Sequence, residues 1–381
     1  MIYLDHNASA LMRPSVVEGV VSAMGRQVGN PSSVHWAGRA ARQQLDEARR
    51  SVAALVNVHE SRILFTSGGT EANNLALFGV ARTREGRGAI ITSAVEHPSI
   101  LHACDLLARR GLTVNRLPVD GSGRVDPEDV VPLIDQETIL VSVMAANNET
   151  GVLQPIREIG VLCRSRGVPF HVDATQWAGR LPLDADGIPA DLLTLSAHKM
   201  GGPKGVGALV SSSSLTLAPR MVGGGQERGR RAGTENLPGI VGFGLAAREL
   251  LGGLSGEADR VGALRGYLET RVLEVVPDAV IFGNAVPRLP NTTAVGVRGV
   301  DGETLVMTLD LAGCAISSGS ACSSGKTTPS HVLVAMGVDP ALSQSAVRIS
   351  LGWDSSKNSV DQFIIAFERS VCRLRQGSAL S

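Results

Sequence analysis

The chain has 381 residues, 43% of them hydrophobic and 19% charged, the profile of a soluble globular protein long enough for two domains. Lys plus Arg and Asp plus Glu each number 36, so the net charge is zero and the basic excess of a nucleic-acid binder is missing. Five scattered cysteines without a C-x-x-C pair argue against a disulfide framework and a zinc site, and fit a reducing cytoplasm.

Residues 1–6 show no basic region followed by an apolar one, and no run is apolar for long enough to span a bilayer, so neither a secretory signal nor a membrane is expected. Residues 3–10 read as an extended piece, and Pro14 permits a helix over roughly 15–26. A turn-rich loop at 29–35 leads to a helix over about 38–55, with Ala41, Leu45, Ala48, Val52 and Leu55 at helical spacing. The strand 63–66 runs through Ser67-Gly68-Gly69 into a helical pattern at 70–77. A strand, a glycine turn and a helix start offer free N–H groups and the positive end of the helix dipole to an anion. Strands then alternate with helices, at 89–92, 114–117, 138–143, 169–172, 192–195 and 206–210. This predicts an α/β fold with a mostly parallel sheet, helices on both faces, and ligands at the carboxyl ends of strands.

Past residue 236 the pattern changes. An apolar helix over 236–251 could connect two domains, and strands follow near 293–297 and 346–351. A last amphipathic helix is predicted to start with a capping box of Ser359 and Gln362 and to bury Val360, Phe363, Ile364, Phe367 and Val371. The expected layout is a large domain at 15–255 and a smaller α+β domain made of 1–14 and 256–381.

The chemistry gathers around Lys199. One apolar strand stops at Ser196 and another starts after Gly201-Gly202-Pro203, so Lys199 lies on a tight loop between strands. With Ser196 and His198 beside it, such a lysine suits a Schiff base to pyridoxal phosphate (PLP), the hydroxyl and imidazole holding the phosphate. A loop lysine taken alone is more often solvated. The pair Ser196-x-x-Lys199 also matches penicillin-recognising enzymes, but there it opens a helix that Gly201-Gly202-Pro203 forbids.

Other strand ends supply what a PLP site needs. Asp173 can keep the pyridine nitrogen protonated, although an N-cap aspartate is an equal reading there. His97 can stack on the ring and move protons, and residues 146–151 offer amide donors. Arg228, Arg230 and Arg231 could hold an anion. Residues 223–229 lack the strand–helix context of a dinucleotide fingerprint, and Ser324-Gly325-Lys326-Thr327 fails as a Walker loop because Ser320 stands where its first glycine belongs. In Ser317–Gly325 a run of small polar residues surrounds Cys322, a setting for an exposed thiol that travels and attacks, although a spectator loop thiol is an equal reading on spacing alone. Cys104, Cys163, Cys314 and Cys372 read as core residues.

These motifs together resemble the cysteine desulfurases of the nitrogen-fixation and housekeeping iron–sulfur type, class-V aminotransferases with the aspartate-aminotransferase (fold type I PLP) architecture. The similarity runs from Tyr3-Leu4-Asp5 to Arg348–Gly352. Its motifs include Gly29-Asn30-Pro31-Ser32-Ser33-x-His35, Thr66–Glu71, Glu96-His97, Asn147–Gly151, His171–Gln176, Ser196-x-His198-Lys199, Gly223–Thr234 and Ser317–Cys322. The resemblance implies that Lys199 binds PLP covalently and moves protons, that Asp173 pairs with the ring nitrogen and that His97 stacks on the ring. Gln176 and Asn148 would reach the ring hydroxyl or substrate, while Gly69, Thr70, Ser196 and His198 hold the phosphate. Thr234 would do so from the second subunit of a homodimer, and Arg348 would bind the substrate carboxylate.

On this resemblance L-cysteine becomes L-alanine, with the sulfur carried as a persulfide on Cys322 to an acceptor protein such as an iron–sulfur scaffold. No metal site is implied beyond transient ligation of a cluster by Cys322. Residues 325–330 and Trp353, where an arginine is common, depart from the family pattern. Selenocysteine lysis, another PLP reaction such as transamination, and a non-catalytic partner-binding relative are the rival readings. The thiol-bearing loop argues against transamination, and the intact Lys199, Asp173, His97 and Cys322 argue against the last.

Overall fold

The computed structural model describes residues 1–26, 28–185, 187–319 and 329–378; Cys322 lies outside them. In chain order the first half carries β1 (Ile2–Tyr3), α1 (Pro14–Arg26), α2 (Trp36–Leu55), β2 (Ile63–Thr66), α3 (Gly69–Thr83), β3 (Ala89–Ser93) and α4 (Pro98–Arg109). These are followed by β4 (Thr113–Leu117), β5 (Thr138–Ser142), α5 (Ile156–Ser165), β6 (Phe170–Asp173), β7 (Leu192–Ser196) and β8 (Gly207–Ser211). The second half holds α6 (Leu237–Leu251), α7 (Leu254–Val275), β9 (Val280–Ile281), β10 (Thr292–Gly296), α8 (Gly302–Leu311), β11 (Cys314–Ala315) and β12 (Ser317–Ser318). It closes with α9 (His331–Ala335), α10 (Pro340–Gln344), β13 (Ala346–Ser350) and α11 (Lys357–Ser378).

Seven strands make the main sheet, in the order β2-β8-β7-β6-β5-β3-β4. Strands β7, β6, β5, β3 and β4 run parallel to one another, and β8 runs antiparallel to both β7 and β2. The expected mostly parallel α/β sheet is therefore present. Apart from the edge strand β4, its strands are buried on both faces, and their side chains divide by the two-residue period of a strand. Ile63, Phe65, Val141, Phe170, Val172, Leu193 and Leu195 face a core shared with α2, α5 and α6. Leu64, Ile90, Leu140, Leu192 and Leu209 face the opposite core, filled by α3 and α4.

The smaller sheet is antiparallel, ordered β12-β13-β10-β9, and packs α7, α8 and α11 around Leu268, Val295, Leu305, Ile349 and Phe363. Leu4 joins this core, β1 pairs with β11, and Asp5 bridges Ser350. Helix α6 packs against α2 and the main-sheet core, and the chain bends by 79° between α6 and α7. Arg13 spans that bend. Its Nε lies 3.6 Å from Glu249 of α6 and its Nη2 donates to Glu257 of α7 at 2.6 Å. Trp353 backs this contact, its ring 5.6 Å from the Arg13 guanidinium and its Nε1 donating to Leu11 O.

Two details differ from the expectation. Helix α11 buries Val360, Phe363, Ile364, Phe367 and Val371, but its capping box lies one turn earlier than Ser359 and Gln362. Ser359 N donates to Ser356 Oγ (3.2 Å) and Ser356 N donates to Ser359 Oγ (2.9 Å), so Ser359 serves as the reciprocal member. Gln362 reaches only Asn358. Cys372 is exposed rather than in the core, because it follows Val371 by one residue and is rotated off the apolar stripe. Replacing Ser356 with Ala should cost about 1 kcal/mol of stability in urea denaturation, and Gln362→Ala should be close to neutral. The reverse ranking would place the cap at Ser359.

Candidate active site

Strand ends and the turns after them converge on a cavity of about 150 Å³. Gly69, Thr70, His97, Asn148, Asp173, Gln176, Ser196, His198 and Lys199 all line it, so nine of the expected site residues share one wall. Arg348 lies behind Asn148, donating from Nη1 to Asn148 O (3.0 Å) and from Nη2 to Asp5 Oδ1 (2.8 Å). Thr234 is exposed and does not line the cavity.

Helix α3 starts at the cavity without a side-chain cap, leaving the first N–H groups of its opening turn for a ligand. Glu71 braces that turn by accepting from Ser67 N (2.7 Å) and from Arg231 (2.9 Å). The arginine cluster is thus absorbed internally, since Arg228 donates to Ser61 O and Ile63 O, and Arg230 to Ser211 Oγ. Gly207 makes room for the turn. A Cβ there would stand 2.7 Å from Gly68 Cα and from Leu195 O.

Asp173, at the end of β6, is 5% exposed. Its Oδ2 accepts from Asn73 Nδ2 (2.7 Å) and its Oδ1 from Thr175 N (2.9 Å). Asn73 Nδ2 also donates to Ser99 Oγ (2.9 Å), which lies 2.8 Å from His97 Nδ1. Ser99 N donates to the same Nδ1 (3.1 Å), so this nitrogen is an acceptor and the His97 proton belongs on Nε2. Burial lowers the His97 pKa, opposed by Asp173 and assisted by Lys199 and the nearby histidines, so the ring is neutral at pH 7. His198 is pushed down to about 4 by burial and by Lys199, Lys204 and Arg180, and its Nδ1 pairs with Ser196 Oγ at 3.0 Å. Lys199 Nζ donates to Asn7 O (2.6 Å) and Ala8 O (2.8 Å).

Two buried acids stand behind this wall. Glu96 accepts from Ser93 Oγ (2.6 Å) and Met144 N (2.8 Å), and burial pushes its pKa up to about 8. Glu149, bonded by Ser330 Oγ, is pushed up to about 7 by burial. Cys104 and Cys163 rise to about 12 for the same reason and are inert thiols at neutral pH. Asn7, Asn73, Ser99 and Thr175 escaped the sequence reading. Asn73 lies one helical turn beyond Thr70 and Ser99 two residues beyond His97, spacings that carry a signal only once the strand ends are known to meet.

A lysine, an aspartate and a histidine presented from strand ends of a largely parallel α/β sheet define a site of the PLP-dependent aminotransferase type. The chain belongs to the class-V aminotransferase family, whose model matches residues 2–363. It is 42% identical to a cysteine desulfurase of Trichormus azollae over 375 residues, covering 98% of this chain and 94% of the relative. It is 41% identical to the cysteine desulfurase NifS of Azotobacter vinelandii over 378 residues, covering 99% and 94%. A NifS-like protein from Rickettsia africae superposes with a TM-score of 0.89 at 37% identity, covering 97% and 99%.

PLP is the cofactor of this family, and the residues present fit it. Asn73 Oδ1, Thr175 Oγ1 and Gln176 Oε1 are buried polar atoms without a hydrogen-bond partner among the described residues. The α3 turn is a cradle that side chains would fill, a Cβ on Gly69 standing 3.0 Å from Thr175 Oγ1. Gly207→Ala should therefore weaken PLP retention in equilibrium dialysis more than it lowers the thermal midpoint; unchanged retention in a folded variant would contradict the cradle.

The acids give a pH signature. Burial holds Glu96 and Glu149 neutral in the folded chain, above their ordinary value of 4.5, so their contribution to stability is complete below pH 4.5 and lost as pH rises toward 8. The unfolding free energy of wild type relative to the Glu96→Gln, Glu149→Gln double variant should fall across that window. A flat difference would mean that both acids are ionised in the folded protein.

Proposed function

We propose that the chain is a PLP-dependent cysteine desulfurase that releases L-alanine from L-cysteine and passes the sulfur to an acceptor protein. The observation that carries this reading is the convergence of Lys199, Asp173 and His97 on one cavity beside Arg348, in a chain about 40% identical to proteins named cysteine desulfurase. Bound PLP supplies an electron sink for the carbon that bears the substrate's amino and carboxylate groups. Asp173 would hold a protonated ring nitrogen, His97 would cover the ring, and the α3 turn with Ser196 and His198 would hold the phosphate. Gln176 and Asn148 take the remaining polar groups.

Lys199 anchors the cofactor and, once released, moves the proton at the α-carbon. Arg348 takes the substrate carboxylate. Cys322 Sγ, as the thiolate, attacks the substrate sulfur. The new S–S bond forms as the substrate C–S bond breaks, and the carbon fragment gains a proton and leaves as alanine.

We assign residues 15–255 to the PLP-binding domain, and 1–14 with 256–381 to the small domain carrying Cys322. The working unit is a homodimer in which Thr234 serves the phosphate across the interface; its exposure in the single chain supports this. Transfer to an iron–sulfur scaffold in a reducing cytoplasm accords with the relatives' names and with the free Cys104, Cys163, Cys314 and Cys372. With L-cysteine, PLP and a reductant, the wild type should form alanine. Cys322→Ser should lose nearly all of it while keeping the visible absorbance of bound PLP, and Lys199→Ala should lose both. Equal rates for wild type and Cys322→Ser would sink the persulfide route.

A further inference from the structure

The segment around residues 6–8 runs between the two sheets, and three successive backbone carbonyls on it receive side chains of the site. Arg180 Nη2 donates to His6 O (3.3 Å), Gln176 Nε2 to Asn7 O (3.1 Å), and Lys199 Nζ to Asn7 O (2.6 Å) and Ala8 O (2.8 Å). Asn7 is 1% exposed and uses every polar atom it has. Its N–H donates to Ser350 Oγ of β13 (2.9 Å), and its Oδ1 accepts from Asn291 Nδ2 (3.0 Å). Its Nδ2 donates both to Thr292 Oγ1 of β10 (2.9 Å) and to Asn148 O (3.1 Å). Asn148 O is the same carbonyl that receives Arg348 Nη1 at 3.0 Å.

We propose that Asn7 is a positioning residue of the reaction: its carbonyl seats the Lys199 amine while its amide, through the shared Asn148 carbonyl, fixes the Arg348 guanidinium. One residue thereby sets the spacing between the group that works at the substrate α-carbon and the group that takes its carboxylate. This inference rests on the roles given above to Lys199 and Arg348.

The side chain has to be an amide. Thr292 Oγ1 donates onward to Asn291 Oδ1 (3.0 Å), so it can only accept from Asn7, and Asn148 O is an acceptor as well. Both contacts therefore need the two hydrogens of Nδ2, while Asn291 needs an acceptor at Oδ1. Aspartate keeps the shape but turns a carboxylate oxygen toward two acceptors in a buried place, and alanine removes all three side-chain contacts, leaving Asn148 O to Arg348 alone. Whenever the Lys199 amine is free, the Asn7 and Ala8 carbonyls accept from it and would keep it as a donor facing the cavity.

The test uses the PLP-loaded full chain and the variants Asn7→Ala, Asn7→Asp and Asn7→Ser. Two quantities are read: the pH midpoint of the visible absorbance of lysine-linked PLP, and the affinity for L-alanine followed by the same absorbance. L-Alanine carries the amine and carboxylate but no sulfur, so it probes the spacing without turnover. Asn7→Ala and Asn7→Asp should move the midpoint by roughly half a pH unit or more and weaken L-alanine roughly tenfold. Asn7→Ser, which keeps a small donor, should fall between them and wild type, and it carries the test should Asn7→Ala fail to fold. A folded Asn7 variant that melts earlier but keeps both wild-type values overturns the proposal and leaves Asn7 with a structural role only. Should the wild type form no alanine from L-cysteine while the variants show both shifts, the desulfurase reading falls and the positioning role stands.

Discussion

Asp173 is a carboxylate at the bottom of a cavity, held by one side-chain amide and one backbone N–H. Taking such an ion out of water costs several kcal/mol even in a relaxed protein, and two neutral donors offset only part of that. A cationic partner on its cavity side would remove the deficit, and the hydrogen bonds around Asp173 leave that side open to the cavity. The Asn73 amide that steadies Asp173 also donates to Ser99 Oγ, and that hydroxyl with its own backbone N–H meets His97 Nδ1. The carboxylate and the imidazole thus belong to a single hydrogen-bonded string that joins α3, α4 and the end of β6. The tautomer of His97 follows from the same string that places Asp173.

The main sheet makes this possible by being apolar on both faces. Its strands give their side chains to two helix layers, so polar chemistry is confined to the ends, where the chain leaves the sheet for a turn or a helix. Buried acids behind the wall fit the same logic. Glu96 orders Met144 through its backbone N–H while its neighbour His97 faces the cavity, and the imidazole of His331 donates to Glu96 O from α9. Neutral acids can bear burial in that position, where charged ones would each carry a large desolvation cost.

Much of this was legible in the sequence, and for identifiable reasons. Strands such as 63–66 and 192–195 are short apolar runs closed by Ser, Gly or Thr, and that punctuation survives in the structure as the Gly68 turn and the Lys199 loop. The residues lining the cavity were found because motif residues at strand ends meet whenever the strands are parallel. Contacts between distant segments were not legible. Nothing in the local pattern links Asn7 to Asn148, 141 residues away, or Asp5 to Arg348, 343 residues away, because those pairs depend on how the small sheet sits against the N-terminal segment. The capping box was misplaced by one turn because Ser359 satisfies the motif both as a cap and as the third helical residue. Only the hydrogen bonds to Ser356 separate the two.

Trp353 has a consequence of an optical kind. Its indole lies against the Arg13 guanidinium and donates to Leu11 O, at the point where Arg13 spans the bend between α6 and α7. The chain has only two other tryptophans: Trp36 is 74% exposed, and Trp177 bonds to Pro182 O in the loop after Gln176. Indole emission responds to an adjacent cation and to the state of its own N–H. The protein therefore carries, without any label, a fluorophore at the joint between its two sheets, and its colour and intensity report how tightly that joint is held.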